Sequence, residues 1–117
     1  MNEYFAGLTK AQVEALKECF DFLRNGYVEV FSSWHRMVAV ILLRHQKNGN
    51  RLSVRICRYT YTIYKNHEMI KTVGFVPDDC LYNLAVDSDM TVKVESCQTS
   101  RDAGVVKGSL SPNKNGS

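Results

Sequence analysis

The stretch Val38-Ala39-Val40-Ile41-Leu42-Leu43-Arg44-His45-Gln46-Lys47-Asn48-Gly49-Asn50-Arg51-Leu52-Ser53-Val54-Arg55-Ile56 decides the fold. Two runs rich in Val, Ile and Leu flank Asn48-Gly49. An Asn-Gly pair in that setting is the strongest short signal for a β-hairpin, because both central residues of the favoured two-residue turn need positive φ. Such a turn sets Arg44 opposite Ser53, Leu42 opposite Arg55, Val38 opposite Tyr59 and Arg36 opposite Tyr61. Side chains alternate across a strand, so Ile41, Leu43, Val54 and Ile56 share one face and form the better core face. Arg36, Arg44, Arg55, Tyr59 and Tyr61 line the other face as a basic and aromatic strip. The pattern changes phase within the second run, from even positions at Leu52, Val54 and Ile56 to odd ones at Tyr59, Tyr61 and Ile63. A β-bulge near Cys57 or Arg58 would produce that change and would turn both tyrosines inward.

Upstream the period is helical. Thr9 and Gln12 have capping-box spacing, and Leu8 and Val13 occupy hydrophobic-staple positions. Val13, Leu16, Phe20 and Leu23 recur at steps of three and four, which predicts a helix over 9–25 with that face buried. Asn25-Gly26 supplies its stop. Strands are expected at 27–34, 36–46, 51–64, 68–76 and 90–97, where Val, Ile, Tyr, Thr and Phe are dense. Residues 78–86 read two ways. Asp78-Asp79 after Val76-Pro77 can cap a short helix carrying Leu81 and Leu84, whereas alternation of Cys80, Tyr82, Leu84 and Val86 makes a strand. The helix is the preferred reading.

These elements predict an α+β fold: an N-terminal helix packed on a mostly antiparallel sheet of four or five strands. The chain of 117 residues, 44% hydrophobic and 23% charged, fits one globular domain over 1–98, followed by a polar tail over 99–117. Val105, Val106 and Leu110 are the tail residues able to hold it to the body; Lys107 and Lys114 are read as keeping it solvated, with non-specific phosphate contacts as the alternative. The longest apolar run, Met37 to Leu43, is far short of the roughly 20 residues a membrane-spanning helix needs. Met1 to Phe5 carries no basic leader before an apolar stretch, and the expected location is the cytoplasm.

Cys19, Cys57, Cys80 and Cys97 are 38, 23 and 17 residues apart, without the close pairs of a zinc site, so no metal or other cofactor is expected. All four are read as free, buried thiols. Cys57, between Arg55 and Arg58, is the one whose surroundings could activate it.

Charge is unevenly placed. Arg36, Arg44, Lys47, Arg51, Arg55, Arg58 and Lys65 lie between Val30 and His67, a span with no acid; the rest of the chain holds eight basic residues and all twelve acids. A basic island in a mildly acidic body is the pattern of a surface that meets a polyanion. Candidate contacts are Arg36, Arg44, Lys47, Arg51, Arg55 and Arg58 for phosphates, and Tyr59 and Tyr61 for stacking on bases. The same cations on strands also blunt sheet edges against aggregation. Trp34, the single tryptophan, is expected in the core.

His35, His45 and His67 all fall in the basic span, but His35 and His45 sit at opposite ends of an expected strand, too far apart for an acid and base pair. No phosphate loop, nucleophile elbow or dinucleotide fingerprint is present. The expected function is therefore non-catalytic binding of nucleic acid through the basic hairpin. The alternative is an inhibitor or adaptor that covers an acidic, or nucleic-acid-binding, surface of a larger protein. Two copies could also pair through a sheet edge or the tail as a homodimer.

Overall fold

The structure, a computed structural model, describes residues 3–36, 38–78 and 80–99, with side chains described as far as Glu95. The elements in chain order are β1 (Glu3–Leu8), α1 (Lys10–Arg24), β2 (Tyr27–His35), β3 (Val38–His45), β4 (Arg51–Ile56), β5 (Thr60–Lys65), β6 (Glu68–Gly74), β7 (Cys80–Val86) and β8 (Val92–Thr99). They form a five-stranded sheet in the order β2-β3-β4-β5-β6 and a three-stranded sheet in the order β1-β7-β8. Every strand pairing is antiparallel. The fold is α+β, with one helix packed against antiparallel sheets.

The helix starts where the sequence signals it. Thr9 is the N-cap, its hydroxyl accepts from the Gln12 amide at 3.3 Å, and the Gln12 side chain accepts from the Thr9 amide at 2.8 Å. Its apolar face carries Val13, Leu16 and Phe20 into the core, and the helix contacts strands of both sheets. From the five-stranded sheet Ala39, Ile41, Leu43, Leu52, Val54, Ile56, Tyr61 and Ile63 join this core, and from the three-stranded sheet Leu84 and Val86. One face of the large sheet is thus core, as the alternation in β3 and β4 predicts.

Gly26 ends the helix at φ +99°, and a Cβ there would lie 2.8 Å from His45 Nε2. The His45 ring meets Tyr27 edge-on at 4.8 Å, and its Nδ1 accepts from the Lys47 amide at 3.1 Å. His45 is therefore a packing residue at the helix exit. His35 lies at the far end of β2, opposite Val38, so the two histidines stand at opposite ends of the β2–β3 ladder on different strands.

The structure corrects several expectations. The strand expected over 51–64 is two strands, because the chain reverses at Cys57–Tyr59, where the Cys57 amide donates to the Thr60 carbonyl at 2.8 Å. The change of phase is a turn rather than a bulge. The segment expected to be a short helix is strand β7, Cys80–Val86: the Asp78 carboxylate accepts from the Cys80 amide at 2.9 Å and leads the chain into the strand instead of capping a helical turn. β1, with Gly7 at φ +69°, carries too little β-forming sequence to have been expected. Trp34 is 41% exposed, because β2 is an edge strand whose core-side face is only partly covered. The thiols also differ from expectation: Cys19 is free and buried, Cys57 is free and exposed, and Cys80 is disulfide-bonded. The expectations for Val105, Val106, Lys107, Leu110 and Lys114 lie outside the described residues.

Candidate nucleic-acid interface on the open sheet face

The sheet face away from α1 is built by the hairpin β3–β4. Its turn is longer than the two-residue form: His45 and Asn50 close it, through a 2.8 Å bond from the His45 amide to the Asn50 carbonyl. Only Gly49 takes positive φ; Asn48 instead uses its side chain to accept from the Asn50 amide at 2.9 Å. The register moves by two residues, so Arg44 faces Arg51, Leu42 faces Ser53 and Val40 faces Arg55. Two residues are one full pleat, so the side chains of β3 and β4 keep the faces that the sequence assigned to them.

Successive pairings lay out rows across this face. One runs Val28, Arg44, Arg51; the next runs Phe31, Leu42, Ser53, Tyr64, Met69; a third runs Ser33, Val40, Arg55, Thr62, Thr72. None of these positions is acidic. An open groove of about 550 Å³ crosses the second row, floored by Leu42 and Ser53 and bordered by Arg44, Arg51, Arg55, Tyr64 and His67. The Arg55 guanidinium lies 5.7 Å from the centre of the Tyr64 ring. Among the described residues none of Arg44, Arg51 and Arg55 forms a salt bridge. Asn66, in the β5–β6 turn at φ +49°, binds this corner together: its side-chain oxygen accepts from the Arg51 amide at 2.9 Å, and its own amide donates to the Arg51 carbonyl at 2.8 Å.

The sequence-predicted residues divide among three places. Arg44, Arg51 and Arg55 share the open face, and Lys47 stands in the β3–β4 loop at its Arg44 end. Arg36, at φ +58° in the β2–β3 turn, and Arg58, 5.5 Å from the centre of the Tyr59 ring, are exposed at the opposite end. Tyr59 is half-buried beside that turn. Tyr61 is on the core side, 4% exposed, with its hydroxyl on Glu18 of α1. It is not part of the strip. Tyr64 and Phe31, which sequence reasoning passed over, are the aromatic side chains on the arginine face. The signal for Tyr64 is the alternation within β5: once the turn at Cys57–Tyr59 is known, Tyr61 and Ile63 are the inward pair and Thr62 and Tyr64 the outward one.

Among the described residues no group of His, Cys, Asp and Glu side chains could hold a metal ion, and no helix is long and apolar enough to cross a membrane. No family model matches the sequence, no curated protein matches it, and no solved structure matches the fold.

Proposed function

We propose that the protein is a non-catalytic module that binds single-stranded nucleic acid on the open face of its five-stranded sheet. The observation that carries this reading is Arg44 facing Arg51 across β3 and β4, with no carboxylate in the paired rows described for that face. Like charges directly opposite on neighbouring strands destabilise a sheet, and a phosphate between them removes the repulsion. Phe31 and Tyr64 supply rings for unpaired bases, and an open sheet face suits a single strand better than a duplex groove. Arg36, Lys47 and Arg58 extend the positive field toward both ends and steer the polyanion on approach.

Fluorescence anisotropy with labelled single-stranded and duplex DNA and RNA at two salt concentrations tests the reading. Three phosphate contacts give a log-log salt slope of about −2 with a single strand, and Arg44→Glu/Arg55→Glu should abolish binding. Absence of binding tighter than about 100 μM at low salt rejects nucleic acid as the ligand. The second reading, an inhibitor or adaptor on an acidic protein surface, is favoured by one observation. Val30 and Val38 stand 58% and 50% exposed, and aliphatic side chains there serve a protein partner better than a phosphate chain. A homodimer that pairs the edge strand β2 with its copy would place two arginine faces in one sheet, and sedimentation measures it. The cytoplasm is the location inferred with nucleic-acid binding; the Cys80 disulfide argues for an oxidising compartment, and thiol mapping of protein taken from its own cell decides.

A further inference from the structure

A second hollow, of about 290 Å³, lies on the core side of β2, between that edge strand, β1 and α1. Three aromatic rings from three elements form its walls: Phe5 lies 6.3 Å from Phe20 and 6.4 Å from Trp34, centroid to centroid. Leu16 and Ile41 close the apolar floor. The charged side chains in the lining are Glu3 and Glu29, and among the described residues neither forms a salt bridge. The negative field reaches inward: burial first, and then the charges of Glu18 and Glu29, push the Cys19 thiol in the same lining up to about 12.

Aromatic faces carry negative potential, and rings beside unneutralised carboxylates attract a cation. The apolar floor decides which kind. A primary ammonium brings three N–H donors that must be satisfied or stay hydrated. A methylated ammonium has few or no donors, is already clothed in apolar groups, and keeps its charge. We infer that this hollow binds a di-, tri- or tetramethylated ammonium group, held against Trp34 and Phe5 and neutralised by Glu29 and Glu3. Its volume, near the lower end of the roughly 300–1,000 Å³ usual for ligand pockets, accommodates such a group. The site is on the face opposite the arginine groove, so it stands whether or not nucleic acid binds there.

Trp34 is the only tryptophan of the chain, and its fluorescence reports on the hollow directly. The titrants are tetramethylammonium and choline at constant ionic strength, with 3,3-dimethylbutanol as the uncharged isostere of choline and methylammonium as the primary ammonium that keeps three N–H donors. The expected result is a saturable change with both methylated cations and binding about tenfold weaker for each of the two controls. Glu29→Gln should weaken choline binding about fivefold with an unchanged thermal melt; if that variant fails to fold, Glu3→Gln serves in its place. No saturable change up to about 50 mM choline, equal binding of the uncharged isostere, or indifference to both substitutions overturns the proposal. A short peptide with one trimethyllysine, run against choline, identifies the source: tighter binding of either one supports the site and names a side chain or a free small cation as its ligand.

Discussion

The hydroxyl of Tyr61 donates a hydrogen bond to the carboxylate of Glu18, across the interface between β5 and α1. Lys71 of β6 reaches the same carboxylate oxygen at 2.6 Å, and its ammonium lies 5.9 Å from the centre of the Tyr61 ring. Phe75 stacks on that ring at 6.3 Å. One helix residue is thereby tied to two neighbouring strands at the rim of the core. Tyr61→Phe should cost about 1–2 kcal/mol of stability, since Glu18 keeps Lys71 and loses only the hydroxyl, as urea unfolding would measure. The same variant should leave nucleic-acid affinity unchanged, because Tyr61 faces away from the arginines.

Stability should fall as the solution becomes alkaline. Burial, reinforced by the Glu18 carboxylate, raises the Tyr61 hydroxyl above its usual 10.0, and burial raises the Cys19 thiol from 9.0 to about 12. Both groups hold their protons more tightly in the folded chain than in the unfolded one. Their contribution is complete below the unfolded values and is lost as pH rises through the folded ones. The urea midpoint should therefore decline from about pH 9 toward pH 12, and Cys19→Ala should flatten the early part of that decline.

Tyr64→Ala separates the two readings of the open face. Stacking on one base is worth about 1–3 kcal/mol, so single-strand affinity should drop roughly 5- to 150-fold while the salt slope stays the same. Arg51→Gln should do the reverse, lowering the slope by about 0.7 with a modest loss of affinity. A Tyr64→Ala variant that binds single strands as tightly as the parent would remove stacking from the mechanism.

Gly26→Ala should destabilise by about 2 kcal/mol or more, because φ +99° strains any L side chain and the added Cβ meets the His45 ring. Removing the ring as well, in Gly26→Ala/His45→Ala, relieves the contact but not the backbone strain. The difference between single and double variants, read by thermal melts, apportions the two causes.

Thiol chemistry should follow exposure. With no reductant present, Cys57 should alkylate promptly, Cys19 only on unfolding, and Cys80 not at all, as peptide mass mapping would show. Prompt labelling of Cys80 in the folded protein would contradict its disulfide.

The amino-acid sequence by itself determined the features whose causes are local. Thr9 and Gln12 cap the helix because each side chain meets a backbone amide one turn away, and Gly26 stops it because only glycine accepts that φ beside His45. The core side of β3 and β4 was legible because alternation survives any even shift of register, which is why Arg44, Arg51 and Arg55 stayed together although the turn was longer than expected. Tertiary structure decided everything that depends on partners distant in sequence. β1 and β7 are strands because each completes the other's ladder, with Phe5 opposite Leu84. Tyr61 is inward because the chain reverses at Cys57–Tyr59 and restarts the alternation, and Glu18, 43 residues earlier, receives its hydroxyl. Trp34 is half outside because β2 is the end strand of the sheet among the described residues, and no local pattern says which strand takes that place. Alternation assigns a residue to a face; only the packed chain determines what, if anything, covers it.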